Sequence, residues 1–295
     1  MINEISLFAN AKLNLSLDIM GVRESDGYHL MDMVNCSIDL SDEITIRRVR
    51  GDGIEIRSNA RFIPKNEKNL AYKAAVKFAE HVGIKLPGLE ISIKKRIPMQ
   101  AGLGGGSADA AAVLTGLNEL LNTGMNRYEL CAIGEKIGSD VPYCTVGGFA
   151  RVTGIGELIE TVPNSCDFAM VVLMPRSGHS TREAFAAFDC GADIEHPQTE
   201  LLLCALKEGD VSKLAMLTRN AFSEPIKGET TARLEAMLMK NGALGASMSG
   251  SGAAVFGVFH DRLTAQRCKE RLWRRDFSAF VAVPTDSGVS IIKKR

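Results

Sequence analysis

The chain has no excess of charge of either sign and no long hydrophobic run. Its 35 lysines and arginines balance 35 aspartates and glutamates, so the formal net charge is zero. That balance excludes a chain built mainly to coat nucleic acid or an anionic membrane, although it leaves room for a local basic site. No apolar run approaches the roughly 20 residues that a membrane-spanning helix needs. We therefore expect neither nucleic acid nor a membrane as a partner.

The sequence also lacks the cysteine patterns of a disulfide framework or a zinc site. The seven cysteines are odd in number and irregular in spacing, and no CxxC motif occurs. The five histidines lie too far apart to pair at a metal. The N-terminal segment MINEISLFANAKLNL has neither the basic start nor the long apolar stretch of a signal peptide. We expect buried thiols in a reducing compartment, no metal site formed by the protein, and a cytoplasmic location.

The hydrophobic patterns predict an α+β protein in two lobes, divided near residue 160. Residues 11–19, AKLNLSLDI, alternate apolar and polar side chains as a strand does. Residues 69–83 have the pattern of an amphipathic helix. DEITIRRV and GIEIRS, joined by RGDG, are typical of a hairpin. Beyond the division we predict a buried strand at 168–175, helices near 181–188, 198–206, 210–222 and 229–240, and a last strand near 280–285.

One segment is rich in glycine. PMQAGLGGGSADAAAVL, residues 98–114, follows a predicted strand and leads into a helix predicted from about Ser107 to Leu121. Glycines at such a junction can present several backbone N–H groups in one concavity, and the helix N-terminus adds its positive dipole. The segment therefore predicts a phosphate site, and the alternative is a tight turn that binds nothing.

This glycine segment fits neither of the two common phosphate-binding motifs. A P-loop needs Gly-Lys-Ser/Thr, and the dipeptide Gly-Lys does not occur in the chain. A dinucleotide fingerprint needs glycine or alanine where Ser107 stands. A second cluster, ASMSGSGAAVFGVF at 246–259, places Gly250 and Gly252 before a β-type run. Two clusters, one in each predicted lobe, predict a cleft in which both lobes approach the same polyphosphate.

Three segments, AKLNLSLDI, GLGGGSADAA and MSGSGAAVFG, resemble in order the signature motifs of the GHMP kinases. GVRESDGYHLMDMV and KIGSDVPYC resemble flanking motifs of a family member that acts on a cytidine diphosphate substrate, and the resemblance runs from about residue 9 to 259. It implies a two-lobed GHMP kinase fold, with a ribosomal-S5-like, ATP-binding N-terminal domain at 1–160 and a ferredoxin-like C-terminal domain at 161–295. The chain departs from the family at Asn10, in GSGAAVF, and at Ala108, where a serine is frequent.

The resemblance implies a kinase that uses ATP and Mg²⁺ to phosphorylate a hydroxyl of a small cytidine diphosphate substrate. Asp140, in GSDVPY, would accept or orient the hydroxyl proton. Lys12 would keep Asp140 ionised and stabilise charge on the reacting oxygens. Judged by residue type alone, Asp140 is an ordinary turn aspartate and Lys12 a solvated lysine.

The resemblance also implies the binding residues. Tyr28 and His29 would recognise the cytosine by stacking and hydrogen bonding, with Phe185 as a second stacking face, although core packing of Phe185 is an alternative. Asn14 and Thr181 are further substrate contacts. The residues implied for ATP are Asn69, Lys95, Pro98, Met99, Gln100, Ala101, Gly102, Leu103, Gly104, Gly105, Gly106, Ser107, Ala108, Asp109, Ser249, Gly250, Ser251 and Gly252.

Two other functions stay open from the sequence. The chain could be another GHMP kinase, such as a mevalonate or homoserine kinase, but DGYH favours a substrate with a base on which an aromatic pair can act. It could also be an S5-like nucleic-acid-binding protein, which the zero net charge and the second glycine cluster oppose. The sequence does not distinguish a monomer from a homodimer.

Overall fold

The computed structural model describes residues 2–175, 181–191, 194–223, 225, 229–272 and 276–295. Its strands are β1 (Glu4–Val22), β2 (His29–Val49), β3 (Ile54–Ser58), β4 (Gly88–Lys94), β5 (Phe149–Gly154), β6 (Leu158–Thr161), β7 (Ala169–Pro175), β8 (Arg219–Asn220), β9 (Gly245–Met248), β10 (Val255–Phe259), β11 (Phe277–Ala282), β12 (Pro284–Thr285) and β13 (Val289–Lys294). Its helices are α1 (Leu70–Val82), α2 (Gly105–Leu121), α3 (Arg127–Glu135), α4 (Asp140–Val146), α5 (Thr181–Asp189), α6 (Thr199–Glu208), α7 (Val211–Leu217), α8 (Glu229–Lys240) and α9 (Arg262–Arg271). Helices combined with two separate sheets confirm the predicted α+β class.

The long antiparallel pair β1 and β2 organises the first sheet. Their register runs from Glu4 opposite Arg47 to Val22 opposite His29. The strand order is β13-β1-β2-β4-β3, with β5 and β12 also paired to β2, β6 to β5, and β8 to β1. Helix α2 lies close against this sheet at Gly116, where a Cβ atom would stand 2.6 Å from Ile46 Cδ1. The sheet therefore fixes the position of the helix that follows the glycine-rich segment.

Helix α1 confirms the helix predicted over residues 69–83, with a sequence signal at each end. The Asn69 side chain accepts a hydrogen bond from the backbone N–H of Ala71, which caps the N-terminus. Gly83 adopts the left-handed conformation, with φ of 72°, and closes the C-terminus. Ala71, Ala75 and Phe78 are buried, as the amphipathic pattern predicts.

The hairpin predicted between residues 42–49 and 53–58 is wrong. Strand β3 pairs in parallel with β4 rather than with β2, and β4 lies between the two. The turn-rich RGDG segment ends one strand and precedes another, but α1 then carries the chain back so that β4 takes the position beside β2. A connection through a helix is what parallel neighbours require.

The second sheet has the order β11-β7-β10-β9. In chain order, β7 is followed by helices, then by the consecutive strands β9 and β10, then by α9 and β11. This order of strands and helices is the ferredoxin-like arrangement that the resemblance implies. The apolar run at β7 is buried along most of its length, as predicted for 168–175. Leu234 and Leu238 of α8 and Cys268 of α9 belong to its core.

The end of the chain returns to the first sheet. Strand β12 pairs with β2, and β13, which the sequence did not predict, pairs with β1 over residues 5–9. The division at residue 160 stays a prediction, and in the sheets the last strands belong with the N-terminal half. The predicted helix at 210–222 is also shorter, because α7 ends at Leu217 and β8 pairs in parallel with β1.

All seven cysteines are free thiols, but they are not all buried. Cys190 and Cys204 are exposed, so the prediction of buried thiols is wrong for these two, and Cys131 is only partly buried. Burial raises the pKa of Cys36 to about 12. Within the described ranges, no helix is long and apolar enough to cross a bilayer.

Candidate active site

A cleft of about 1370 Å³ gathers most of the residues that the sequence singled out. The residues that line it include members of β1, β2 and the segment between them, the segment that leads into α1, the glycine-rich segment, the start of α4, α5, and the 250–252 turn. Three predicted site residues, Asn14, Ala108 and Ser249, stand behind its wall and are buried. The cleft thus joins segments from both halves of the chain.

The two glycine clusters are in direct contact. Gly102 has φ of 73°, and a Cβ atom on it would stand 2.1 Å from the carbonyl oxygen of Ser249. The Ser249 hydroxyl donates to the Gly102 carbonyl over 3.0 Å, and the Ala254 N–H donates to the Ala101 carbonyl over 3.1 Å. The approach of the two clusters, predicted from their composition, is therefore observed, and it depends on the missing side chain at Gly102.

The glycine-rich segment delivers an open helix N-terminus to the cleft. Gly104 takes the N-cap position of α2 with φ of 68°, a conformation that glycine adopts at little cost. Because glycine has no side chain to cap the helix, the first N–H groups of α2 are left for an anion. A Cβ atom at Gly104 would stand 2.9 Å from Lys12 Cγ, so this glycine also makes room for the lysine.

Lys12 is buried beside Asp140. Its Nζ atom lies 3.7 Å from Asp140 Oδ2 and donates to Asn14 Oδ1 over 2.7 Å. The Lys12 side chain is 5% exposed and that of Asp140 is 35% exposed, so the carboxylate is the more accessible member of the pair, and both residues line the cleft. The expectation from residue type, a solvated lysine, does not describe this position.

A buried charged cluster lies under the first turn of α2. Lys95 Nζ donates to a carboxylate oxygen of Asp42, to Asp109 Oδ2 over 2.8 Å, and to the Gly105 carbonyl over 3.3 Å. Burial lowers the pKa of Lys95, but Asp109 and Asp42 outweigh it and raise that pKa above its ordinary value. Burial raises the pKa of Asp109 well above its ordinary value, against the opposing effect of Lys95. Sequence reasoning missed Asp42, because no local pattern ties it to a lysine 53 positions away.

The far end of the cleft is aromatic. The His29 and Phe185 rings stack with centroids 4.4 Å apart, and Phe185 meets Phe222 edge to face at 4.9 Å. His29 Nε2 also lies 2.8 Å from Asp189 Oδ1, a partner that the sequence did not predict. Tyr28 is exposed. This end therefore offers aromatic faces together with one oriented imidazole.

Thr181, at the start of α5, lies between the aromatic end and the second glycine cluster. Its hydroxyl oxygen is 3.0 Å from the Ser251 hydroxyl oxygen. This contact joins α5 to the 250–252 turn on the wall of the cleft.

Residues 69–148 match the sequence profile of the GHMP kinases N terminal domain, and residues 203–279 match that of the GHMP kinases C terminal domain. The chain therefore belongs to the GHMP kinases, a family that uses ATP as co-substrate. A relative from Clostridium botulinum (strain Eklund 17B / Type B), named 4-diphosphocytidyl-2-C-methyl-D-erythritol kinase, is 40% identical over 279 residues, which cover 94% of this chain and 99% of the relative.

Two solved structures resemble the whole chain. A 4-(cytidine 5'-diphospho)-2C-methyl-D-erythritol kinase has a TM-score of 0.79 and 29% identity, covering 95% of this chain and 99% of its own. A homoserine kinase from Cytophaga hutchinsonii has a TM-score of 0.77 and 22% identity, covering 99% of this chain and 98% of its own. The likeness to the homoserine kinase shows the shared fold alone. The two-lobed GHMP kinase fold implied by the sequence motifs is confirmed.

Proposed function

We propose that this protein transfers the γ-phosphoryl group of ATP to the 2-hydroxyl of 4-diphosphocytidyl-2-C-methyl-D-erythritol, a step of non-mevalonate isoprenoid precursor biosynthesis. The names and identities of its relatives support this substrate. One observation carries the proposal: a single cleft holds a glycine-rich helix N-terminus at one end, the Lys12 and Asp140 pair, and an aromatic end with an oriented histidine.

The glycine-rich segment would hold the phosphates of ATP. The N–H groups of the first turn of α2 and the Gly250 to Gly252 turn face the same cleft. Backbone N–H groups and a helix dipole suit the phosphates because they supply positive potential without a bulky side chain. Met99, which is exposed, would offer apolar surface to the adenine.

Asn69 and Lys95 would support nucleotide binding from within the protein. The Asn69 side chain caps α1 and donates to the Pro64 carbonyl over 2.8 Å. Lys95 directs its ammonium group to two carboxylates and to the Gly105 carbonyl, at the first turn of α2. In this proposal both residues fix the walls of the nucleotide site.

The Lys12 and Asp140 pair would carry the transfer step. Asp140 accepts or orients the hydroxyl proton, the substrate oxygen forms a bond to the γ-phosphorus, and the bond from that phosphorus to the β,γ-bridging oxygen breaks, so that ADP leaves with the electron pair. Lys12, buried beside the carboxylate, stabilises negative charge on the reacting oxygens.

Mg²⁺ would enter the site with ATP. Among the residues that the structure describes, no group of three or more His, Cys, Asp or Glu side chains is placed to hold a metal ion. Ser107 and Asp140 line the cleft and carry oxygens of the kind that Mg²⁺ binds, so they fit an ion held mainly by phosphate. The ion would neutralise charge on the phosphates.

The aromatic end would bind the cytidine base. Tyr28 would offer an exposed ring, and His29, stacked on Phe185 and held by Asp189, would offer a hydrogen-bonding edge. A substrate such as mevalonate or homoserine has no base to occupy this end.

The test is ATP consumption by the purified protein with Mg²⁺ and, in parallel, the cytidine substrate, mevalonate and homoserine. We expect rapid turnover of the cytidine substrate and far slower turnover of the other two. Equal turnover of mevalonate or homoserine would overturn the proposed substrate. Filter binding to a labelled oligonucleotide, with no binding expected, checks the remaining alternative from the sequence.

A further inference from the structure

We infer that Asn35, acting through Asn14, is a positioning residue that holds Lys12 in place beside Asp140. The inference rests on the proposed function, because it concerns the pair to which the transfer step is assigned. Nothing in the sequence motifs or in the relatives' names marks Asn35, which lies inside β2 and outside the cleft.

Asn14 and Asn35 face each other across the β1 and β2 pair. Asn14 Nδ2 donates to Asn35 Oδ1 over 2.7 Å, and both side chains are fully buried. On the other side of the same amide, Asn14 Oδ1 accepts from Lys12 Nζ over 2.7 Å. A continuous buried chain of hydrogen bonds therefore runs from Asn35 through Asn14 to the ammonium group.

The chemistry of the chain fixes which way the Asn14 amide points. An ammonium group only donates hydrogen bonds, so Asn14 must turn its oxygen toward Lys12 and its NH₂ group away from it. That NH₂ group is buried and needs an acceptor, and Asn35 Oδ1 supplies one. The other nearby acceptor is the thioether of Met33, at 3.4 Å, which is weak. Removing the Asn35 oxygen would thus leave the buried NH₂ group of Asn14 poorly satisfied.

Asn14 is closer to the lysine than the catalytic carboxylate is. Lys12 Nζ lies 2.7 Å from Asn14 Oδ1 but 3.7 Å from Asp140 Oδ2. The remaining polar contacts of Asn14 also stay within the protein, since its N–H donates to Ser249 Oγ over 3.3 Å. Asn14 therefore acts on the reaction by locating Lys12, and Asn35 locates Asn14.

The first experiment compares Asn35→Leu with Ser16→Ala in single-turnover phosphoryl transfer. Ser16 is the control, because it lies two positions from Asn14 in β1 and its buried hydroxyl has no hydrogen-bond partner among the described residues. We expect Asn35→Leu to slow the transfer step about 5- to 150-fold, with KM for ATP and for the cytidine substrate within about twofold of wild type. Ser16→Ala should leave the rate of the transfer step and both KM values within about twofold of wild type.

A conservative variant and a double variant separate positioning from loss of structure. Asn35→Asp keeps the acceptor oxygen, and since Asn35 Nδ2 has no partner within the described part of the chain, it loses no hydrogen bond there. Asn35→Asp should therefore recover most of the transfer rate that Asn35→Leu loses. In a Lys12→Ala background, Asn35→Leu should add no further loss, because the residue that it positions is gone. A loss that multiplies with that of Lys12→Ala, or a fall in rate matched by a rise in both KM values, would overturn the inference.

A second readout needs no substrate, so it stands even if the proposed function fails. The rate at which acetic anhydride modifies Lys12 is measured by mass spectrometry on the native protein. We expect Asn35→Leu to raise this rate several-fold by releasing the ammonium group from Asn14, and Ser16→Ala to leave it unchanged. Equal Lys12 reactivity in wild type and Asn35→Leu overturns the inference. Failure of the cytidine substrate in wild type counts against the proposed function alone.

Discussion

Lys12 Nζ and Asp140 Oδ2 lie 3.7 Å apart, although one residue belongs to the first strand and the other begins a helix more than a hundred positions later. The exposed side of the pair is the carboxylate and the buried side is the cation. In the proposed reaction we therefore expect the substrate hydroxyl to contact Asp140, with the positive charge of Lys12 close by.

The pair should behave as one unit. Asp140→Asn keeps the shape of the side chain and removes its charge, so we expect kcat to fall about 10²- to 10⁴-fold while ATP affinity changes little. Lys12→Ala should cost a similar factor. The double variant should be little worse than the worse single variant, because residues that act together are not additive. Single-turnover transfer rates of the three proteins measure this.

Asp52→Asn is the control for that series, since Asp52 is an exposed carboxylate that pairs with Lys85 and does not line the cleft. Its kcat should match that of wild type. Losses at Lys12 and Asp140 that multiply fully in the double variant would mean that the two residues act independently.

The aromatic end should control affinity for the cytidine substrate. We expect His29→Ala to raise the KM for this substrate about 5- to 150-fold, the cost of losing a hydrogen bond to a buried polar group, and to leave the KM for ATP nearly unchanged. Asp189→Ala, which removes the partner of His29 Nε2, should raise the same KM by a smaller factor. His81→Ala, at the exposed end of α1, is the control. A rise confined to the KM for ATP would assign His29 to the wrong part of the cleft.

Gly102 should tolerate no side chain. Its φ of 73° alone costs a non-glycine residue about 1–2 kcal/mol, and a Cβ atom would also collide with the Ser249 carbonyl. We expect Gly102→Ala to lower the free energy of unfolding by at least that amount and to raise the KM for ATP. Gly106→Ala is the matched control for stability, because its Cβ would meet Leu70 Cδ1 at an ordinary 3.5 Å. Denaturant unfolding measures the free energy of unfolding of both variants. Equal values for Gly102→Ala and Gly106→Ala would contradict the observed contact between the clusters.

Asp109 should make stability depend on pH. Because its pKa in the folded protein is raised above its ordinary value, folding favours the protonated form, and this contribution is lost as pH rises through the folded-state pKa. Asp109→Asn stays neutral at every pH. The free energy of unfolding of Asp109→Asn relative to wild type should therefore increase as pH rises above the ordinary pKa of an aspartate. Urea unfolding of both proteins at several pH values measures the difference. A constant difference for Asp109→Asn would contradict the raised pKa.

The sequence predicted the elements of this site better than their surroundings. Alternation in AKLNLSLDI assigned Lys12, Asn14, Ser16 and Asp18 to one polar face of a strand. Lys12 and Asn14 do share a face, but a register shift between Asn14 and Ser16 interrupts the alternation there. Alternation cannot tell what covers a face, however, and here the polar face is buried. The glycine clusters were recognisable because backbone conformations with positive φ favour glycine, so such turns are rich in this residue. Gly102 and Gly104 are two examples.

Residues whose roles arise only from tertiary contacts were not predicted. Asp42 meets Lys95, and Asp189 meets His29, across long stretches of chain with no shared periodicity. Strand pairing failed for the same reason, since turn residues predict where β2 ends but not that β4 will lie between β2 and β3. Local sequence patterns predict helices and strands. Which strands pair, and which side chains meet, depends on the packing of the whole chain.

The return of β12 and β13 to the first sheet sets an order of events during synthesis. The edge of β1 that β13 covers stays unpaired until residues 289–294 have left the ribosome, after the entire ferredoxin-like sheet has been translated. The first sheet is therefore complete only after the last strand of the ferredoxin-like sheet has been translated. A nascent chain released before that point would leave the edge of β1 unpaired at residues 5–9, and an unpaired strand edge favours pairing with other chains.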